Sequence, residues 1–394
     1  MSPSPSPTAS GPLSIRPVTS AADAARFVDL VWSLYADDPH WVPPLKTEVH
    51  ALIGGIKTNP WFGHAQAQFW LAMRGDTVVG RISAQVDSLV LTHMGAGTGH
   101  WGMFECIDDQ AVADLLLTTA EDWLRARGIT RAQGPFSLSV WDEPGLLVQG
   151  FEGAPTVMMG HHRNWYERLV TAHGYAGIKD LHCWSLPIDK PFPEMVQRIV
   201  AFSERNPKLV TRPVDKSRFD AEAALILDIL NDAWSDNWGF VPLTPAEIAH
   251  VGKKLKPIVF ENLIRIAELE GEPVGFLIAL PDINEMTRDL NGRLFPFGWA
   301  KLLWRLRHPR VRRIRVPLMG IRKKLQGQRI SSLMAFQMIE YIRRSCVEEF
   351  GAIEGEIGWI LDDNGPMRSI ADAIDSHVTR TYRIFERPLV PSQD

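Results

Sequence analysis

The chain predicts an α/β (α+β layered) protein of two tandem, similarly built domains, each a mixed, mostly antiparallel sheet flanked by helices. Length, an internal repeat and a shared order of periodic segments predict it. At 394 residues the chain suits two domains, each able to bury its own core. Ile15-Arg-Pro-Val18 recurs as Thr211-Arg-Pro-Val214, an offset of 212 − 16 = 196. His40-Trp-Val-Pro-Pro44 is echoed by Gly239-Phe-Val-Pro-Leu243 (241 − 42 = 199), and Phe69–Gly80 by Leu263–Gly275 (275 − 80 = 195). A nearly constant offset of this size is too long for a solenoid and suits a duplicated domain. The expected boundaries are 13–190 and 200–390, after a Ser/Pro-rich tail over 1–12 that reads as disordered.

Each element follows from its pattern. Short strands, Ser14–Val18 and Leu209–Val214, lead into helical stretches at Ala22–Tyr35 and Ala221–Ala233. Alternating apolar runs around Arg74-Gly75-Asp76 and Glu270-Gly271-Glu272 predict hairpins. A further strand then precedes a long amphipathic helix, Ala111–Arg127 in the first copy and Ser331–Glu349 in the second. Strands Thr130–Phe136 and Ala352–Ile360 follow, and each copy closes with a helix and a last strand.

Composition narrows the classes. A net charge of −4 gives no general attraction to nucleic acid. No apolar run is long enough to span a bilayer, so no stable membrane insertion is expected. Cys106, Cys183 and Cys346 are far apart and odd in number, suggesting neither a disulfide framework nor a zinc site, and no metal is expected. No signal peptide is visible, and cytoplasmic residence is the default expectation. Oligomeric state is not readable.

The most chemical stretch is Met319-Gly-Ile-Arg-Lys-Lys-Leu-Gln-Gly-Gln-Arg-Ile-Ser-Ser-Leu333. A strand enters a basic, glycine-containing turn and then a helix start, where free amides and the positive helix end attract an anion. The plainer reading is a solvated basic turn before a core helix. The register resembles the diphosphate loop of the GNAT acyl-CoA N-acyltransferases, Gln/Arg-x-x-Gly-x-Gly/Ala. Gln326, Gly327 and Gln328 fit, Ile321 stands at the usual valine, and Arg329 and Ser331 replace the motif glycines. The order β-α-β-β-β-α-β-α-β in each copy, and Tyr166-Glu-Arg-Leu-Val-Thr-Ala-His-Gly-Tyr175, resemble the same family. That resemblance implies acetyl-CoA or another acyl-CoA as co-substrate and a small-molecule amine or peptide as acceptor. It implies that Met319, Gly320, Ile321, Arg322, Gln326, Gly327, Gln328, Arg329, Ile330, Ser331 and Asn364 hold the cofactor.

The copies are not chemically equal. In the first, Phe104-Glu-Cys-Ile-Asp-Asp-Gln110 replaces the basic turn; its carboxylates cap the helix and repel a diphosphate. The working copy is therefore expected to be the second. Glu354 and Glu356, two apart on one face of a central strand, are its candidate bases; the alternative is that they pair with arginines of the insert that precedes the basic-turn strand. Tyr166 matches the family's acid tyrosine, whereas the second copy has Ala371 there. The expected function is acyl transfer from coenzyme A to an amine; its rival is a non-catalytic protein of the same fold that binds acyl-CoA, another ligand or a partner surface. His161-His162 reads as a polar loop. The insert Leu290–Arg315 holds a basic helix with a stripe Trp299, Leu302, Leu303, Leu306, which suits a groove of its own protein or an anionic membrane surface, the former more often.

Overall fold

The computed structural model describes residues 11–256 and 258–389; most of the expected tail lies outside the described residues. Two compact units are present. Unit 1 comprises the chain to Ala154, Gly160–Asp180 and the chain from Tyr382; unit 2 comprises Pro155–Met159 and Leu181–Thr381.

The first copy runs β1 (Leu13–Pro17), α1 (Ala21–Leu34), α2 (Lys46–Ile53), β2 (Ala65–Arg74), β3 (Thr77–Asp87), α3 (Ser88–His93), β4 (Thr98–Cys106), α4 (Gln110–Arg125), β5 (Arg131–Gly134), β6 (Leu146–Gln149), α5 (Tyr166–Ala172) and β7 (Ala176–Pro187). After α6 (Glu194–Ser203) the second copy runs β8 (Leu209–Pro213), α7 (Phe219–Trp234), α8 (Pro245–Leu255), β9 (Ile264–Leu269), β10 (Glu272–Pro281), α9 (Ile283–Thr287), α10 (Gly298–Arg307), β11 (Arg313–Ile321), α11 (Arg329–Phe350), β12 (Glu354–Leu361), α12 (Gly365–Ala373) and β13 (His377–Pro388).

The duplication is visible strand by strand. Arg16 lies on β1 and ion-pairs with Asp23 of α1 at 2.8 Å; Arg212 lies on β8 and pairs with Glu222 of α7 at 3.1 Å. Gly80 stands opposite Cys106, the last residue of β4, and Gly275 opposite Ile321, the last of β11. Both hairpins close through two residues. Glu270 and Gly271 both have positive φ (54° and 83°), the conformation whose twist suits a hairpin. In each unit the fourth and fifth strands are parallel and the first four antiparallel, a mixed, mostly antiparallel sheet.

The last strands are exchanged. Leu181–Leu186 of β7 and Pro187 pair antiparallel with β12 in unit 2, while Phe385–Pro388 of β13 pair with β5 in unit 1. Each copy's final strand thus completes the other copy's sheet, and a division at residues 190–200 does not describe the units.

Helix α4 shows why the periodic stretches fold as they do. Asp109 caps it, accepting from the Ala111 amide at 2.9 Å. Val112, Ala113, Leu116, Leu117, Ala120 and Leu124 form its buried stripe against β3. Met334, Met338, Ile342, Cys346 and Phe350 do the same for α11, which stops at Gly351 with φ 66°.

His100 of β4 is buried and stacked on Phe136 at 4.1 Å, and burial pushes its pKa down to about 3. The unfolded histidine binds its proton near pH 6.5. Between those values the unfolded chain holds more protons, so stability is lost as pH falls through this window. His100→Phe is expected to remove about 3 kcal/mol of the loss between pH 7 and pH 4. Denaturant midpoints against pH, variant beside parent, measure it; parallel curves would refute the assignment.

Candidate functional site

The parallel pair in each unit opens part-way along. In unit 2, β11 and β12 are paired from Arg313↔Glu354 to Val316↔Ile357 and no further. Beyond that point Pro317–Met319 are half-buried and, among the described strands, border β10 alone. In unit 1 the equivalent stretch is closed. The Phe136 amide donates to the Trp101 carbonyl at 2.8 Å, and every residue of β4 is buried. A Cβ on Gly102 would fall 1.6 Å from the Phe136 carbonyl oxygen, so the chain after β5 fills the opening.

The third rung of each ladder shows a second difference. His100↔Gln133 in unit 1 corresponds to Arg315↔Glu356 in unit 2, neutral groups in one and charges in the other. Glu356 is buried, ion-paired to Arg380 of β13 at 2.8 Å and hydrogen-bonded by the Thr156 hydroxyl. The Arg315 guanidinium donates to the carbonyls of Val157 and, at 3.0 Å, of Gly358. Asp282, fully buried, pairs with Arg313 at 2.6 Å and accepts from the Val157 amide at 2.9 Å. Residues 155–157 are thus bonded into the closed end of the unit 2 ladder. Glu356 is committed to Arg380, an arginine of the last strand and not of the insert, and each of its oxygens already accepts a bond, one from Thr156 and one from Arg380. Glu354, by contrast, is half-buried and has no ion pair among the described residues.

The basic turn follows directly from the open part of β11. Met319, Gly320 and Ile321 end the strand; the Met319 carbonyl accepts from Trp234 Nε1 at 2.9 Å. Gly320 packs so closely that a Cβ would fall 2.8 Å from the Phe276 ring. Three of the cations are spent locally: Arg322 on Asp228 at 2.6 Å, Lys323 on Asp236 at 2.5 Å, Lys324 on Glu272 at 2.6 Å. Gln326 folds its amide back onto the Ile321 carbonyl at 2.9 Å, which shapes the turn. Gly327 has φ 75° with open space around it, a backbone state that favours glycine. Gln328 precedes α11 without capping it. Arg329 is exposed and has no ion pair among the described residues. Ser331 turns its hydroxyl onto the Gln328 carbonyl at 2.6 Å, while Ile330 packs against the core. An uncapped helix start beside an unpaired arginine can hold a diphosphate.

In unit 1 that place is occupied. Asp109 caps α4 and pairs with Arg74 at 2.5 Å, and Asp108 pairs with Arg168. The carboxylates neutralise the helix end that an anion needs.

Tyr166 and Asn364 differ from expectation. Tyr166 is fully buried; its hydroxyl donates to Glu105 at 2.7 Å and accepts from the Cys106 amide at 3.2 Å. Tyr35 donates to the same carboxylate at 2.8 Å, and burial raises both phenol pKa values strongly. A sealed, doubly bonded phenol is a core strut, and the acid role implied by the resemblance does not suit it. It also stands a turn away from the Ala371 position. Counting back from the left-handed residue after each helix, Gly174 and Asp375, Tyr166 corresponds to Met367, and Ala371 to Val170. Asn364 caps α12, accepting from the Met367 amide at 3.1 Å. The histidine loop is likewise internal, with His161 Nε2 2.9 Å from Asp38. Sequence reasoning missed Arg380, Thr156 and Asp282; Arg380 lies on β13, where a charged residue within a strand was the available signal, and the other two lie outside the strands.

No protein-family model matches the chain. It is 43% identical over 379 residues to the bacterial ceramide synthase of Caulobacter vibrioides, covering 96% of this chain and 98% of that protein. It is 38% identical over 377 residues to protein YghO of Escherichia coli, covering 95% of each. Among solved structures, a tandem GNAT protein from the clavulanic acid biosynthesis pathway superposes with a TM-score of 0.57 at 13% identity, over 97% of this chain and 100% of that one. A GCN5-related N-acetyltransferase from Sphaerobacter thermophilus gives 0.51 at 14% identity, covering 97% of each. These likenesses show a tandem GNAT fold.

Proposed function

The chain belongs to the family of the bacterial ceramide synthase, and on that footing we propose that it is an acyl-CoA-dependent N-acyltransferase working in unit 2. A ceramide is the amide of a long-chain amino alcohol and a fatty acid, so the acceptor is read as such an amine and the acyl group as a long one. The observation that carries the reading is the opening of β11 from β12 next to the uncapped start of α11; its counterpart in unit 1 is filled and acidic.

The residues divide the work as follows. Arg329 and the amides of Gly327, Arg329 and Ile330 hold the diphosphate; the Gln328 amide is already bonded to the Leu325 carbonyl at 3.1 Å. The half-buried edge Pro317–Met319 accepts the extended arm and leads the thioester into the opening. The neutral amine attacks the thioester carbonyl, the C–N bond forms, the C–S bond breaks to release coenzyme A as a thiolate that takes a proton from water, and a proton leaves the nitrogen. Glu354 takes that proton. It stands three residues before the last rung, about 10 Å along the strand, so the proton travels through water. Glu356 serves structure.

Glu354→Gln is expected to lower kcat by about a hundred- to ten-thousand-fold with coenzyme A affinity unchanged, because a base acts in the transition state. Mass-spectrometric detection of the amide formed from palmitoyl-CoA and a long-chain amino alcohol measures it. Full turnover in the variant would assign the proton elsewhere. A second reading, binding without turnover, is favoured by Ala371, which lies buried against Trp184 and Ile360 where the family places its tyrosine. Tight acyl-CoA binding with no amide from any long-chain amine would support it.

A further inference from the structure

The basic insert leaves an aromatic face bare. Helix α10 turns Leu302 and Leu306 onto the core of unit 2, so only half of the expected stripe is covered. Phe295 is 77% exposed, Phe297 78%, Trp299 50% and Trp304 64%, with Leu303 beside them at 40%. No other stretch of similar length among the described residues exposes so much large apolar side chain. The face is ordered rather than loose: Trp299 Nε1 donates to the Pro296 carbonyl at 3.1 Å, tying the loop to the helix. Lys301 and Arg305 of the same helix pair with Asp289, Arg305 at 2.7 Å, which fastens α10 to the unit.

Charge selects the occupant. Arg293 in the loop and Arg307 in the last turn of α10 are exposed and have no ion pair among the described residues. His308 lies against the Trp304 ring at 5.4 Å. The chain as a whole is acidic, at −4, so this cationic rim is local. Exposed tryptophan and phenylalanine framed by arginine is the composition of a helix that lies in the headgroup region of an anionic bilayer, rings in the acyl boundary and cations at the phosphates. A second copy fits less well, because a twofold contact through this face would bring Arg293 and Arg307 against the same residues of its mate.

We propose that α10 and the loop 293–297 dock this protein peripherally on an anionic lipid surface. The docking stands on these residues and does not require acyl transfer; where both hold, a lipid acceptor is met at the membrane.

Co-sedimentation of the full chain with vesicles of 70% phosphatidylcholine and 30% phosphatidylglycerol tests it, with pure phosphatidylcholine as the neutral control. Binding to the anionic vesicles is expected, at least tenfold weaker to neutral ones, and weaker in 0.5 M salt. Phe297→Ser with Trp304→Ser, and separately Arg293→Glu with Arg307→Glu, are each expected to reduce binding at least tenfold. All four positions are exposed, and an unchanged melting temperature checks the fold. Failure of the parent to bind, or equal binding by both double variants, would overturn the proposal. So would a dimer in sedimentation velocity that the aromatic double variant abolishes, since the face would then be a self-interface. The vesicle assay reads no turnover, so its failure is separable from failure of the acyl-transfer reading.

Discussion

Arg329→Glu is expected to weaken coenzyme A binding by about a hundredfold, because it removes a charge-assisted contact and sets a carboxylate at the helix start. The neighbouring cations already have partners: Arg322, Lys323 and Lys324 are each paired with a carboxylate within 2.6 Å. The matching change in the first copy, Asp109→Ala, is expected to leave affinity within twofold. Its cost is in stability, about 1 kcal/mol, from the lost cap on α4. Calorimetric titration of both variants with coenzyme A measures the contrast. Equal losses from the two would mean that the anion is not held where the second copy opens.

The second large effect is structural. Glu356→Ala is expected to destabilise the fold by about 3–5 kcal/mol, since it removes the buried carboxylate that pairs with the Arg380 guanidinium at 2.8 Å. Arg380→Ala should cost a similar amount. The double variant should cost distinctly less than the sum, because the interaction between the two is then lost once and not twice. Denaturant unfolding of the four proteins in a double-mutant cycle gives the coupling. Additive losses would show that the pair does not act as a unit and would return Glu356 to the candidates for proton transfer.

Much of the fold was legible because its signals are local. Arg16 and Arg212, Gly80 and Gly275, and the two hairpin turns are set by alternation and turn chemistry, which survive in single stretches of sequence. The exchange of β7 and β13 was not legible: a last strand has the same pattern whichever fifth strand it joins. The basic turn announced itself through Gly327 and the run of cations, but which cations are free was hidden. Only Asp228, Asp236 and Glu272, brought from α7, its trailing loop and β10, show that Arg329 is the one left over. Glu354 and Glu356 read alike two residues apart. Arg380 and Thr156 separate them, the first 24 and the second 200 residues away along the chain. Tyr166 matched a motif and proved to be a core strut, since Glu105 and Tyr35 reach it only in three dimensions. The insert's stripe was correct in period but mixed two faces, Leu302 and Leu306 inward, Trp299 and Leu303 outward.

The division of labour between the copies is the central claim, and amide hydrogen exchange with and without coenzyme A tests it most directly. Slowed exchange at the amides of Gly327–Ser332, with residues 107–112 unchanged, is the predicted result. Protection at residues 107–112, or none in either turn while calorimetry shows binding, would contradict it.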